Sequence, residues 1–304
     1  MGRKMYYYTD YNTFKLILLN GTLRFKQSTA SNDHMDTVHI YDILKNIARK
    51  ALENEKISEP LKFIYEYYDH TKYGSNKICV VSCFTRKKDS RLLWDAYTMN
   101  RKDRKAERYN GVCIEFYEDE IRKVVRSQDG IFDYVDLQPI MYGDSNIYTF
   151  LNDILKTYLK DYHELMKDKD QHQDIVPTIR IPLATRVIEI DLKKSIVYPA
   201  ITLTNNIENV APLFKHQFWK EEEEIRAIFS VKSAKISDTP MQCDGDNNYF
   251  FDLPINEECI SKIILGPELA VEELQELESL KGKIDFTVLE KEESEGTGVI
   301  RSSN

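Results

Sequence analysis

Hydrophobic residues recur with two periods along the chain, and the two periods together predict a mixed α+β fold. Apolar residues spaced three or four apart predict helices at 11–20, 38–52, from 58 onward, 90–99, 146–167 and 267–282. Short runs rich in β-branched and aromatic residues predict strands at MYYYT, TLRF, KICVVSCF, GVCIEF, VDLQPIMYG, TRVIEIDL, EIRAIF, CISKIILG and IDFTVL. The last two strands flank a helix, and such a βαβ unit requires one parallel strand pair.

The order of these elements favours one α+β domain over residues 1–290, with helical insertions at about 37–70 and 146–175. The polar stretch inside the second insertion gives only a weak domain boundary. Residues 291–304 contain too few apolar side chains to pack against a core, so we expect a disordered tail there.

Composition and charge narrow the class of protein. The 304 residues are 42 % apolar, which is enough for a sizeable core, and the net charge of −8 disfavours a general binder of nucleic acid or anionic membranes. No apolar run approaches the roughly 20 residues that cross a bilayer, and the first residues lack a secretion signal. The five cysteines are scattered and form no CxxC pair, so we expect a cytoplasmic protein with reduced thiols and with Cys79 and Cys83 both facing a core.

The densest acidic run of the chain, residues 221–224, directly precedes the predicted strand EIRAIF. If the segment is extended, alternation places Glu222, Glu224 and Arg226 on one face, because successive strand side chains point to opposite faces. One interpretation is a charged strand end in solvent. The other is a pair of carboxylates that face a cleft, with an ionisation that Arg226 tunes.

Aromatic and small polar residues recur at other points of the chain. Tyr8 and Thr9 end the first strand, Asn32 and Asp33 follow the second, Ser82 lies in the third, and Trp94 and Tyr97 lie in the next helix. Aromatic walls with a few polar groups suit a flat heterocycle, although each cluster alone fits ordinary core packing better. The histidines lack metal-ligand spacing, and no metal is expected at the site. Asp191 and Lys193 match half of a metal-nuclease motif, which leaves a nuclease as an alternative.

Taken in order, these motifs resemble an uncharacterised bacterial family, a domain of unknown function. The resemblance covers about residues 5 to 267 and rests on YYYT (6–9), ILLNGTL (17–23), NDHMD (32–36), SCF (82–84), LLWDAY (92–97), GVCIEF (111–116), KHQFWKEEEEIR (215–226) and IILGP (263–267).

A more distant similarity, to ADP-ribosyltransferases of the DNA-modifying toxin type, lies in the aromatic-Thr strand, the short helix and NGTL. It implies a central, largely antiparallel split sheet and NAD as a substrate. It also implies that Tyr8 or Tyr7 with Thr9, then Ser82 or Tyr97, and then Glu222 or Glu224 contact NAD. The histidine or arginine that is usual in the first strand is absent, and Arg226 or the basic residues 86–88 would hold the pyrophosphate.

We therefore expect an NAD-using ADP-ribosyltransferase-like enzyme, in the class of bacterial toxins or anti-phage defence effectors. Its acceptor would be a protein or a nucleic acid, and an antitoxin or a defence partner would accompany it, with no membrane partner. The carboxylates would stabilise the cationic ribose that forms when nicotinamide leaves. The alternatives are a metal-dependent nuclease and a non-enzymatic module that binds a nucleotide or a protein.

Overall fold

The computed structural model describes residues 2–30, 38–53, 65, 77–98, 111–167, 178–183, 186–191, 197–266, 286–291 and 300–302. Its helices are α1 Tyr11–Asn20, α2 His39–Glu53, α3 Arg91–Tyr97, α4 Glu118–Arg126, α5 Asp144–Lys167 and α6 Val197–Val210. Its strands are β1 Lys4–Thr9, β2 Thr22–Gln27, β3 Lys77–Thr85, β4 Val112–Tyr117, β5 Tyr134–Pro139, β6 Met141–Tyr142, β7 Thr178–Leu183, β8 Arg186–Asp191, β9 Phe214–Lys215, β10 Glu224–Lys232, β11 Gln242–Cys243, β12 Tyr249–Pro254, β13 Ile260–Leu265, β14 Phe286–Lys291 and β15 Ile300–Ser302.

The described strands form one large sheet of eleven strands and two small sheets of two strands each. Neighbouring strands of the large sheet run antiparallel except β13 and β14, which are parallel, as the βαβ pattern predicted. The fold is therefore mixed α and β with a largely antiparallel sheet, as expected from the sequence. The helix predicted between β13 and β14 lies outside the described residues.

Both faces of the central strands are covered, because their side chains alternate between two cores. In β10, Ala227 and Phe229 enter a core that α1 and α4 complete. Ile228 points the other way, into a core formed mainly by α2, α5 and α6. In β1, Tyr6 and Tyr8 enter a third and smaller cluster with Trp94 of α3. This double coverage explains why the central strands appear in the sequence as nearly continuous apolar runs.

The sheet splits along one edge of β3. The other edge of β3 pairs with β10 over its whole length. On the split edge, β2 pairs at Val80 and Val81, and β1 pairs at Thr85. Residues 82–84 lie between these contacts, and none of the described strands pairs with them on this edge. Strands β1 and β2 therefore diverge from β3 and leave an opening, which we call the split.

Helix α1 connects the two strands that diverge at the split. Asp10 begins the helix: its carboxylate accepts a hydrogen bond of 2.9 Å from the Thr13 N–H, as the sequence predicted. Gly21 ends the helix with φ of 60°, a left-handed conformation that glycine adopts at little cost. A short helix with defined ends at both termini thus fixes where β2 starts relative to β1.

The structure extends the sequence predictions at two places. Helices α4 and α6, which the apolar pattern did not predict, follow β4 and precede β9. In the predicted disordered tail, Ile300–Ser302 pairs antiparallel with β14, since a β-branched residue there suits a strand edge. The single domain over residues 1–290 and the bounds of its insertions stay predictions.

Gly111 provides a test of the packing before β4. A methyl group there would lie 2.3 Å from Thr98 Cβ and 2.5 Å from the Thr9 carbonyl oxygen. We expect Gly111→Ala to lower the free energy of unfolding by about 2 kcal/mol in urea titrations, because backbone must shift to accept it. Gly245→Ala is the matched control, since no heavy atom lies within 4 Å of its added methyl group. Equal unfolding midpoints for the two variants would contradict this account.

Candidate functional site

A cleft of about 340 Å³ lies over the split. Its volume falls within the range of small-molecule sites in proteins. The wall includes all three tyrosines of β1, the end of β3, two residues of α3, part of β2 and two glutamates: Tyr6, Tyr7, Tyr8, Arg24, Lys26, Gln27, Ser28, Ala30, Val81, Ser82, Cys83, Phe84, Thr85, Leu93, Tyr97, Glu222 and Glu224. Three segments far apart in the sequence thus meet at one opening.

Glu222 and Glu224 lie side by side, but only Glu224 belongs to the strand. Glu222 ends a 3₁₀ turn over Gln217–Glu222, and Glu223 has a left-handed φ of 44° before β10 begins. The predicted strand alternation is therefore wrong for Glu222, since its place is set by the turn. The two exposed neighbours, Glu221 and Glu223, have side-chain exposures of 78 % and 54 % and lie near Lys87 in solvent.

Lys215 of β9 joins the two buried carboxylates. Its Nζ lies 2.7 Å from Glu222 Oε2 and 2.9 Å from Glu224 Oε2. Arg226 donates to Glu224 Oε1 from the other side and to the Pro212 carbonyl at 2.7 Å. All four side chains are buried, so two cations and two anions compensate each other out of water.

Hydroxyl groups complete the surroundings of the two glutamates. The Tyr97 hydroxyl donates a hydrogen bond of 2.9 Å to Glu222 Oε1. The Tyr142 hydroxyl accepts one of 2.8 Å from the Glu224 N–H, and the Thr85 hydroxyl donates to the Glu222 carbonyl at 2.6 Å. Side chain and backbone of both glutamates are therefore held from several elements.

The charges of the cluster determine its protonation. Burial alone would raise the pKa of Glu224, but Arg226 and Lys215 outweigh it and hold that pKa at about 2. Burial lowers the pKa of Lys215, and the charges of Glu224 and Glu222 reverse this and raise it above its usual value. Burial, and then the charge of Glu222, raises the pKa of Tyr97. At neutral pH we therefore expect an ionised Glu224, a charged Lys215 and a protonated Tyr97 that can donate.

Tyr8 lies at the wall of the cleft nearest α3. Its hydroxyl shares its one proton between the backbone carbonyls of Lys87 and Lys88, at 3.0 and 2.8 Å. Its ring meets the Trp94 ring edge-on, with 5.1 Å between the centroids. Burial raises the pKa of Tyr8 well above its usual value. The Tyr8 ring is thus a fixed, neutral surface rather than a titrating group.

Several predicted site residues come together in the cleft, and others do not. Tyr8, Ser82, Tyr97, Glu222 and Glu224 line it. Ser82 is 4 % exposed, and its Oγ has no hydrogen-bond partner among the described residues. Asn32 and Asp33 lie outside the described residues.

Three further residues predicted to contact a ligand do not line the cleft. Arg226 is 1 % exposed and binds Glu224 and a backbone carbonyl, so its guanidinium is not available to a pyrophosphate. Trp94 is fully buried behind Tyr8, and its indole N–H donates to Asp89 at 3.2 Å. Thr9 is 5 % exposed and pairs with Val112 inside the sheet.

Two residues of the site were not found by the sequence reasoning. Lys215 opens the motif KHQFWKEEEEIR, but the sequence did not predict its contact with the glutamates. Its distance of seven and nine positions from them gives no periodic signal. Cys83 was expected to face a core with Cys79, yet it is exposed and lines the cleft. Both cysteines share one face of β3, but α6 covers only the end where Cys79 bonds to the Glu208 carbonyl.

The alternative nuclease site finds less support in the geometry. Asp191 ends β8, in the small sheet that β7 and β8 form by themselves, and Lys193 lies outside the described residues. Across the described part of the chain, no group of three or more His, Cys, Asp or Glu side chains is arranged to hold a metal ion. None of the described helices is long and apolar enough to cross a membrane.

Comparison with known proteins agrees with the expected kind of family. The model of a family described as "Protein of unknown function (DUF2971)" matches residues 93–227. This segment contains Tyr97, Lys215 and both glutamates, whereas Tyr8 and Ser82 precede it. Over residues 93–227 the prediction of an uncharacterised domain family is thus confirmed, and the resemblance outside this segment stays a prediction. No curated protein and no solved structure matches the chain.

The depressed pKa of Glu224 predicts a specific pH dependence. Its carboxyl has an ordinary pKa of 4.5 and a folded pKa of about 2. The stability that it contributes is therefore fully present above pH 4.5 and is lost as the pH falls toward about 2. We expect the difference in unfolding free energy between wild type and Glu224→Gln to be largest near pH 6 and to shrink at low pH. Urea titrations across this range measure it.

The control for this prediction is Glu221→Gln, which changes an exposed carboxylate in the same acidic run. We expect it to alter the unfolding free energy by less than about 1 kcal/mol at pH 6. A wild-type advantage over Glu224→Gln that stays constant from pH 6 to pH 2.5 would contradict the ion-pair account.

Proposed function

We propose that this protein is an NAD-using ADP-ribosyltransferase that acts in the cleft over the split. The observation that carries the proposal is that Tyr8, Ser82 and the pair Glu222 and Glu224 line one cleft, although they come from three distant segments. A split antiparallel sheet with a glutamate pair at the start of a late strand agrees with the distant similarity to the toxin-type transferases.

In this proposal the glutamates stabilise a cationic transition state. The bond between nicotinamide and ribose breaks, its electron pair leaves with the nicotinamide nitrogen, and positive charge develops on the ribose. Glu224 is ionised throughout, so its charge acts without a change of protonation. The acceptor group then bonds to the ribose carbon and gives its proton to Glu222.

Lys215 and Tyr97 position Glu222 for that role. Lys215 fixes one carboxylate oxygen, and Tyr97, whose side chain is 43 % exposed, holds the other. A ligand hydroxyl can take the place of the Tyr97 hydroxyl at Glu222 Oε1 without moving Lys215. Tyr8 supplies a rigid aromatic surface for the nicotinamide ring.

A second candidate function is a nucleotide-binding module without turnover. One observation favours it: all four carboxylate oxygens of the glutamate pair already have hydrogen-bond partners within the protein. A fully compensated cluster can serve as rigid support for a binding cleft. This candidate predicts binding of NAD with no release of nicotinamide.

Release of nicotinamide from NAD tests the proposal. We expect release by the purified protein, with cell lysate as a source of acceptor, and a loss of about 100-fold in kcat/KM for Glu222→Gln. Glu221→Gln should stay within about twofold of wild type, because its carboxylate is exposed beside Lys87. Tyr97→Phe should change KM more than kcat, since it removes a positioning hydroxyl and no charge.

Two outcomes would contradict the transferase proposal. Bound NAD with no nicotinamide released, with or without lysate, would favour the binding module. Release that Glu222→Gln and Glu224→Gln both leave unchanged would move the chemistry away from this glutamate pair. Circular dichroism on each variant separates loss of activity from loss of folding.

A further inference from the structure

We propose that the β2 end of the cleft binds a phosphate group of the ligand, with Lys26 as the cation that recognises it. The proposal rests on the cleft being the ligand site. It deepens the proposed function by naming phosphate esters as the class of ligand and by assigning the phosphate to β2 rather than to Arg226 of β10 or the basic residues 86–88.

The balance of charge along the cleft leads to this assignment. At the glutamate end, the two carboxylates face two buried cations, Lys215 and Arg226, so that end carries no excess charge. At the other end, Arg24 and Lys26 project from the same face of β2, because the buried residues Leu23 and Phe25 alternate with them. Both cations line the cleft.

Of these two cations, Arg24 is already matched by an anion. Its Nε and Nη2 donate to the two Asp252 oxygens, each at 2.8 Å, and its guanidinium lies over the Phe250 ring. No ion pair to Lys26 is found among the described residues, and its side chain is exposed. Lys26 is therefore the cation of the cleft wall whose charge the described part of the protein leaves uncompensated.

Of the basic residues 86–88 that follow β3, Arg86 and Lys87 are paired with other groups. Arg86 binds Glu118 at 2.7 Å and the Lys4 carbonyl at 2.9 Å. Lys87 binds Glu221 at 3.0 Å. None of residues 86–88 lines the cleft. We therefore assign to Lys26 the phosphate contact that the sequence suggested for them.

A second polar group of the cleft wall also lacks a partner among the described residues. Lys26 pairs with Val81 of β3, and the next residue, Ser82, lines the cleft with a buried Oγ that lacks a hydrogen-bond partner in the described structure. A buried hydroxyl without a partner is unfavourable, and a bound polar group would satisfy it. Because neighbouring strand residues face opposite sides, the Ser82 hydroxyl and the Lys26 ammonium group approach the split from opposite faces of the sheet.

The distance between the two ends suits a phosphorylated nucleoside. Lys26 is opposite Val81, and Glu224 is opposite Thr85, so the two ends are four residues apart along β3. Four residues of strand span about 13 Å. A phosphate at Lys26 therefore leaves room for a sugar and a base along the tyrosines before the glutamates are reached.

The two exposed cysteines allow binding to be measured without any assumption of activity. Cys83 lines the cleft, whereas Cys243 is exposed on β11, outside the cleft wall. Alkylation of each thiol by iodoacetamide, followed by mass spectrometry, reports occupancy at Cys83 and uses Cys243 as an internal control. The probes are AMP, adenosine and inorganic phosphate at equal concentrations up to 5 mM.

We expect AMP to slow alkylation of Cys83 at concentrations about tenfold lower than adenosine does, with no effect on Cys243. Lys26→Met should remove this preference, and Lys26→Arg should retain it. Lys156→Met is the matched control, because Lys156 is an exposed lysine on α5 that does not line the cleft. Protection by AMP should also weaken as salt is raised in wild type and much less so in Lys26→Met.

Equal protection by AMP and adenosine, no protection by either, or an AMP preference that survives in Lys26→Met would each overturn the proposal. Inorganic phosphate that protects as well as AMP would assign the subsite to a free anion instead of a nucleotide. The transferase proposal can fail separately. If AMP protection depends on Lys26 but the protein releases no nicotinamide, only the transferase proposal is contradicted. If Lys26→Met leaves nicotinamide release unchanged and wild type shows no preference for AMP over adenosine, only the phosphate subsite is contradicted.

Discussion

The site depends on the ion pairs that the buried ammonium group of Lys215 forms with Glu222 and Glu224. It lies between two carboxylates that would otherwise repel each other out of water, and Arg226 completes the compensation. Removing one partner from such a cluster leaves an uncompensated buried charge, which typically costs about 3–5 kcal/mol. A glutamate pair this deep in the protein therefore requires its cations as a condition of folding.

The split in the sheet gives this cluster its access to ligands. Strand β3 is paired with β10 on one edge along its whole length, which fixes Glu224 opposite Thr85. On the other edge β1 and β2 diverge, and the short helix α1 keeps them apart. Through the same opening, the tyrosines of β1 and the pair Glu222 and Glu224 line one cleft. A continuous sheet of the same strands would have closed it.

Local patterns in the sequence predicted most of the strands and the pairing of Glu222 with Glu224, but not how that pairing arises. Alternation in an extended strand was expected to align them, whereas the structure uses a 3₁₀ turn and a left-handed Glu223. An extended strand and a 3₁₀ turn can both place Glu222 beside Glu224. The sequence pattern alone cannot distinguish these two backbone geometries. Lys215 and Lys26 contribute through contacts between distant segments, which have no period to detect. Cys83 was misplaced because coverage of a sheet face by helices is a tertiary property.

The indole of Trp219 lies 5.1 Å from the Lys215 ammonium group, while the only other tryptophan of the chain, Trp94, is fully buried beside Tyr8. The two indole rings thus lie in different surroundings, Trp219 half-buried next to a charge and Trp94 in an apolar cluster. Intrinsic fluorescence of the native chain therefore contains two distinguishable signals. When a compound is titrated, a change in one signal or the other would show whether it binds near Tyr8 or near Lys215, without any label.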